Sequence, residues 1–459
     1  MFHIETSDDT PKYCDGISRR SFVRIGVAGM ASVTLADVLR AKEASVKSGH
    51  TKKDTAVILL WLDGGASHID LWDMKPEAPS EYRGIWRPIP TNVPGTQFSE
   101  LLSRTAKVAD KFSIVRSLNH GRGDHFDASH LMLTGYGGPP ESQTDKRGEY
   151  PSMGSIVSKV CGPRRQRLPA YVSVPNGMVL GMSPESGGYM GAHYLGQEYN
   201  PFETGGDPNK TDFRVKNFDL PPGQTLQRLE DRMRLRQRFD QLRRAADAPG
   251  AFDAVDHFQR QAFELVSGPA ARKAFEISSE DPRVRDRYGR NSWGQSTLLA
   301  RRLVEAGCTF VTVGFGYWDH HWGLEASMLH NVPRLDMAVS ALFEDLSVRG
   351  LLDRVLVIVC GEFSRTPRMN NGRGKGKPGR DHWAAAISFI LGGGGVQGGR
   401  IIGATDRLGE RVTERPVGPG DLQATIYDVL GIDPRINLLN LSGRPVPVVP
   451  RGEVISELF

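Results

Sequence analysis

The fold is decided by three consecutive stretches: CTFVTVGF (308–315), RLDMAVSALFEDLSVRG (334–350) and RVLVIVC (354–360). The outer two are short, apolar and rich in β-branched residues, the pattern of strands buried on both faces rather than one. Between them Leu335, Val339, Leu342, Phe343 and Leu346 recur at helical spacing, and Gly350 can end that helix. Strand, helix, strand of this kind reads as a βαβ unit in a mainly parallel sheet.

The same pattern extends outward. TAVILLWL (55–62), FSIVRSL (112–118), AYVSV (170–174) and ISFIL (387–391) are further strand candidates, and STLLARRLVEAG (296–307) is a helix candidate. The expected architecture is α/β, a mainly parallel sheet sandwiched by helices, with loop and helical insertions. A single domain over 51–450 accounts for these elements, with 451–459 as a C-terminal tail. Residues 223–290, dense in Arg, Asp and Gln, read as a helical insertion with a solvated face. Residues 175–222, rich in Gly, Pro and Asn, read as long loops.

Composition narrows the function classes. With 58 basic and 53 acidic residues among 459, the net charge of +5 gives no argument for a nucleic-acid partner. The four cysteines, Cys14, Cys161, Cys308 and Cys360, form no CxxC pair, so buried thiols are expected rather than a zinc module or disulfide framework. Near the N-terminus, SRRSFVR (18–24) precedes a mildly apolar stretch. That order matches a twin-arginine signal, so residues 1–50 read as signal and leader. The expected partner is the twin-arginine export machinery, the destination is periplasmic or extracellular, and no stable membrane span remains after signal removal.

In an open α/β sheet, ligands gather at the carboxyl ends of strands. Asp63 follows TAVILLWL. NHGRGDHFDASH (119–130) follows FSIVRSL, and Asp319, His320 and His321 follow CTFVTVGF. GEFSRTP (361–367), with Glu362 and Arg365, follows RVLVIVC, and Asp381 and His382 stand just before ISFIL. Were the chain extended at 319–321, Asp319 and His321 would point one way and His320 the other. One acid or imidazole after a strand is ordinarily a cap or a hydrogen-bonded loop residue. Their recurrence in five loops reads as a divalent-metal site, zinc first, with manganese or calcium compatible. The number of acids leaves room for one or two ions.

The leader together with WLDGGASHIDLWDMKP (61–76), HLMLTGY (130–136), GYWDHHWG (316–323), GEFSRTP and GRDHW (379–383) resembles an exported bacterial family, domain of unknown function 1501. That family resembles the alkaline phosphatase and sulfatase superfamily. The resemblance implies an alkaline-phosphatase-like fold and a metal-dependent hydrolase of phosphate or sulfate esters, with a small-molecule or polysaccharide substrate. It implies metal ligands at Asp63, Asp319, His321, Glu362 and His382, with Asp381 assisting. It departs at Phe363, where an imidazole is usual, and at the nucleophile. Ten positions before Gly135 stands His125, where a Ser, Thr or formylglycine is expected. His125 is then a nucleophile, a ligand, or the mark of a site without covalent catalysis. Ser67 and Ser129 are nearby hydroxyls, and Arg365 or Arg122 could hold an anionic group. The alternative reading is a noncatalytic, metal-retaining protein that binds a polysaccharide or protein partner.

Overall fold

The computed structural model describes residues 54–138, 149–175, 189–215, 227–228, 231 and 268–459. The twin-arginine stretch, Cys14 and most of the 223–290 insertion lie outside the described residues. An eight-stranded sheet forms the centre. In chain order its strands are β1 (Ala56–Leu62), β2 (Ser113–Leu118), β3 (Tyr171–Val174), β4 (Phe202–Glu203), β5 (Phe310–Phe315), β6 (Val355–Cys360), β7 (Ile387–Gly392) and β8 (Ile401–Ile402). Their spatial order is β8-β2-β7-β6-β1-β5-β3-β4. The six apolar runs are all strands of this sheet.

β1 pairs in parallel with β5 and β6, β3 pairs in parallel with β5 and β4, and β8 pairs in parallel with β2. Only β7 runs against its neighbours, β2 and β6. This reversal positions the site. β7 begins at the edge where the others end, so the residues leading into it meet the loops that leave β1, β2, β5 and β6.

Helices cover both faces. The described ones are α1 (His125–Thr134), α2 (Met153–Cys161), α3 (Pro269–Phe275), α4 (Pro282–Tyr288), α5 (Ser292–Ala306), α6 (Leu324–Val348) and α7 (Pro419–Val429). Alternation along β1 divides the core. Ala56, Ile58, Leu60 and Leu62 pack with apolar residues of α5 and α6, whereas Val57, Leu59 and Trp61 pack with those of α1, α2 and α7. α6 begins ten residues earlier than its sequence pattern suggested and passes through Pro333. Leu324, Met328, Val332 and Leu335 continue the buried stripe across the proline, so packing outweighs the lost backbone hydrogen bond.

Residues 451–459 are not a detached tail. Ile455 and Leu458 are fully buried, and Arg415 pairs with Glu457, so the end of the chain belongs to the domain. Cys308 and Cys360 are buried free thiols and Cys161 is half-buried. Among the described residues, no helix is long and apolar enough to cross a membrane.

Candidate metal centre

β6, β1 and β5 are adjacent and parallel, so the loops after them emerge side by side. They carry Glu362, Asp63 and Asp319. From beyond β7, after β2, comes His125, the first residue of α1, and the segment leading into β7 supplies His382. His382 lies in a short antiparallel ribbon, directly opposite Arg365.

Asp319 is the hub. Its Oδ1 lies 3.0 Å from His321 Nε2, 3.1 Å from His382 Nε2 and 2.5 Å from Arg365 Nη2. Its Oδ2 lies 3.5 Å from His125 Nε2. The two imidazole nitrogens, His321 Nε2 and His382 Nε2, are 3.1 Å apart. Ligand atoms of His125, Asp319 and His382 also fall within 4.8 Å of one another.

The other nitrogen of each ring fixes what these three imidazoles present. His382 Nδ1 lies 2.7 Å from the carbonyl of Gly123, His321 Nδ1 lies 2.6 Å from Asp381 Oδ1, and His125 Nδ1 lies 2.7 Å from Glu362 Oε1. A carbonyl or ionised carboxylate only accepts, so each Nδ1 carries the proton and donates. Each Nε2 then faces Asp319 and the other rings, donating to the carboxylate when it carries a proton and offering a lone pair to a cation when it does not. Two Nε2 atoms and a carboxylate oxygen about 3 Å from one another call for positive charge among them, which a ring proton or a metal ion supplies. Tetrahedral ligands at about 2.0–2.1 Å from zinc lie about 3.3 Å apart, close to the edges of the Asp319–His321–His382 triangle.

Beside this triangle are buried acids. Oε1 of Glu362 accepts from His125 and from the Gly64 amide at 2.9 Å. Oε2 of Glu362 and both oxygens of Asp63 are buried without a hydrogen-bond partner. Burial first, and Glu362 second, push the Asp63 carboxyl up to about 8. Burial alone would also lower His125, but the Asp319 and Glu362 carboxylates outweigh it and raise it to about 9. Asp319 lies well below the usual carboxylate range: burial opposes ionisation, and bonds from His125, His382 and Arg365 overcome it. The donor set therefore fits divalent ions, imidazole-rich at Asp319 and all-oxygen at Asp63 and Glu362.

Arg365 does not stand where an anionic group could reach it. It is fully buried, donating from Nε to Gly65 O at 2.9 Å and from Nη2 to Gly64 O as well as to Asp319. Its place is to position Asp319. Arg122 pairs with Asp127 at 3.0 Å. Ser67 is buried and donates to Asp70 Oδ2 at 2.6 Å, and Ser129 is buried within α1. Phe363 is also buried, with its ring 4.4 Å from that of His382 and 4.9 Å from that of His125, as an apolar wall.

Asp319 and His321 do share one side, with His320 turned away to bond Tyr317 O at 2.8 Å. Strand alternation is not the cause, because β5 ends at Phe315 and the amides of His320 and His321 fold back on Trp318 O and Asp319 O. Gly64 sits under this turn at φ +103°, where an added Cβ would lie 2.6 Å from the Asp319 amide. A side chain there is strained and pushes the hub out of place.

Among the supporting residues, Asn370 stands outside every quoted motif, whereas His68, Asp70, Ser364 and Arg380 lie within them without having been singled out. Asn370 donates to His321 O and Asp381 Oδ2, both at 3.0 Å, and accepts from the amides of Gly372 and Gly379. His68 bonds Ser364 Oγ at 2.6 Å and Gly409 O at 2.9 Å, and the fully buried Asp70–Arg380 pair spans 2.8 Å. These contacts pin the loop after β1 to the two segments that flank the ribbon.

The chain belongs to the family described as Protein of unknown function (DUF1501), whose profile matches residues 54–459. No curated protein matches the sequence. Among solved structures it is similar to a protein of the alkaline phosphatase superfamily from Vibrio parahaemolyticus, at 10% identity and a TM-score of 0.39, covering 88% of this chain and 78% of that one. It is similar to the PsFucS1 sulfatase from Pseudoalteromonas sp., at 13% identity and 0.35, covering 87% and 72%. It is also similar to the phosphonate monoester hydrolase SpPMH from Silicibacter pomeroyi, at 11% identity and 0.35, covering 88% and 76%.

Proposed function

We propose, taking membership of this family and the geometry above as the premise, that the protein is a metal-dependent hydrolase of phosphate or sulfate esters. The observation that carries this reading is the convergence of three imidazole Nε2 atoms and Asp319 with buried, unpartnered oxygens of Asp63 and Glu362. In it, Asp319, His321, His382 and His125 hold one ion, zinc by donor chemistry, and Asp63 and Glu362 offer oxygens to a second. A divalent ion supplies charge that polarises an ester oxygen and lowers the pKa of water.

The chain's own residues do the positioning. Asp381, the Gly123 carbonyl and Glu362 fix the three imidazole tautomers, and Arg365 anchors Asp319. With Nδ1 held by Glu362, His125 presents Nε2 to the centre, and this reading takes it as a ligand rather than a nucleophile. Phe363 excludes water from one side of the rings.

Purified protein is expected to carry zinc and to hydrolyse para-nitrophenyl phosphate or sulfate. A chelator should abolish turnover and added zinc restore it, and alkaline denaturation during turnover of the phosphate ester, which preserves a phosphorus–nitrogen bond, should trap no phosphohistidine. Activity indifferent to chelation would sink the reading.

We also propose export by the twin-arginine route, on the strength of SRRSFVR at 18–24. Changing Arg19 and Arg20 to Lys should leave a reporter fusion in the cytoplasm. Equal export of both fusions would refute the route.

A further inference from the structure

The rim of the site carries a second chemistry that the ion does not explain. Tyr317 and Trp322 bracket Asp319 and His321 on the loop between β5 and α6, and their side chains are outside, at 77% and 42% exposure. Tyr317 also holds a φ of 73°, a strained value for a residue with a Cβ. The strain is held by its carbonyl, which accepts from His320 Nε2 at 2.8 Å and from Asn331 Nδ2 at 2.9 Å. The chain therefore stabilises a costly conformation that turns this ring outward beside the metal centre.

A neighbouring segment brings cations to this rim, one of them onto the Trp322 ring. The loop GRGKGKPG (372–379) carries Arg373, Lys375 and Lys377, all exposed. Lys375 Nζ stands 3.2 Å from the centre of the Trp322 ring. Arg373 Nε donates to Asp381 Oδ1 at 2.8 Å, and that same oxygen holds His321. The Gly323 and Leu324 amides, at the start of α6, donate to the carbonyls of Lys377 and Pro378. The loop is thus moored against the ring-bearing loop at one end and the metal centre at the other.

We propose that this rim binds a polyanionic carbohydrate chain. An aromatic face matches the C–H face of a pyranose ring, and a cation beside it pairs with a sulfate, phosphate or carboxylate on the same sugar. Single-stranded nucleic acid also uses rings and cations, but through a basic groove that follows a backbone. Here the cations are confined to one short loop of a chain whose charges nearly balance. The inference names the substrate class of the hydrolytic site and rests on that reading for the reacting group, but binding at the rim is measured separately.

The test is affinity measurement with dextran sulfate, polygalacturonate, neutral dextran and oligo-dT, on the full zinc-loaded protein. Wild type is expected to bind at least one of the two anionic polysaccharides at least tenfold more tightly than neutral dextran or oligo-dT. The preferred polymer separates sulfate from uronate recognition. Trp322→Ala and the Lys375→Ala/Lys377→Ala double variant should each weaken that binding at least tenfold while leaving zinc affinity unchanged. Polymer affinity unaltered in both variants overturns the proposal, as does tightest binding to oligo-dT. Should wild type bind the polymer yet hydrolyse no ester, the hydrolase reading fails and the rim stands. Hydrolysis of small esters without polymer binding is the reverse outcome and overturns the rim alone.

Discussion

Asp319→Asn is expected to lower ester hydrolysis and zinc affinity together, each by about a thousandfold or more. Loss of a residue that merely orients a ligand costs about 10–100-fold in metal affinity, and Asp319 is itself a donor. The amide keeps the shape but removes the charge. It also puts an N–H group where the structure needs an acceptor. If that group faces Arg365, two donors oppose at a separation now 2.5 Å. If it faces His125, the Oδ2 acceptor is lost. Side-chain exposure of 42% means that the exchange leaves the core intact. Competition titration with a zinc chelator and turnover of a para-nitrophenyl ester check this, with circular dichroism as the folding control. Near-native zinc affinity in the variant would remove Asp319 from the ion.

Asp63→Asn should act on stability in opposite senses with and without metal. In the metal-free protein, Asp63 is a buried carboxyl whose oxygens have no partners and which faces Glu362. Such a group costs free energy, so neutralising it leaves the apo protein equally stable or more stable. With metal the sign reverses. A ligand present at a thousand times its dissociation constant stabilises the folded state by about 4 kcal/mol, and a variant that cannot bind gains none of this. Urea denaturation in chelator and in excess metal measures both limbs. A variant that is destabilised in chelator and still gains the full metal increment would show that Asp63 is a structural acid.

The strands were legible because burial on both faces leaves only apolar, β-branched sequence, as in AVILLWL of β1 and VLVIVC of β6. The start of α6 was not, since Pro333 resembles a helix entrance and only the partners of Leu324 and Met328 reveal that the apolar stripe begins earlier. Asp63, Asp319, His321, Glu362 and His382 could be picked out as acids and imidazoles beside strand ends. What each side chain does there depended on contacts across long sequence separations. Arg365 looked like an anion binder until burial assigned its donors to Asp319 and two glycine carbonyls. Asn370 has no signature, because its four hydrogen bonds exist only after the loop 370–379 closes on His321.

The reversed strand β7 has a consequence for how such a protein can diversify. Since β6 ends and β7 begins at one edge, the stretch 361–386 leaves the sheet and returns to it without crossing a face. That single excursion brings Glu362, Arg365, the cationic loop, Asp381 and His382. Its tip can lengthen cheaply, because doubling a flexible loop costs only about 0.6 kcal/mol in closure entropy. One cassette can therefore be rewritten while every strand of the central sheet keeps its register.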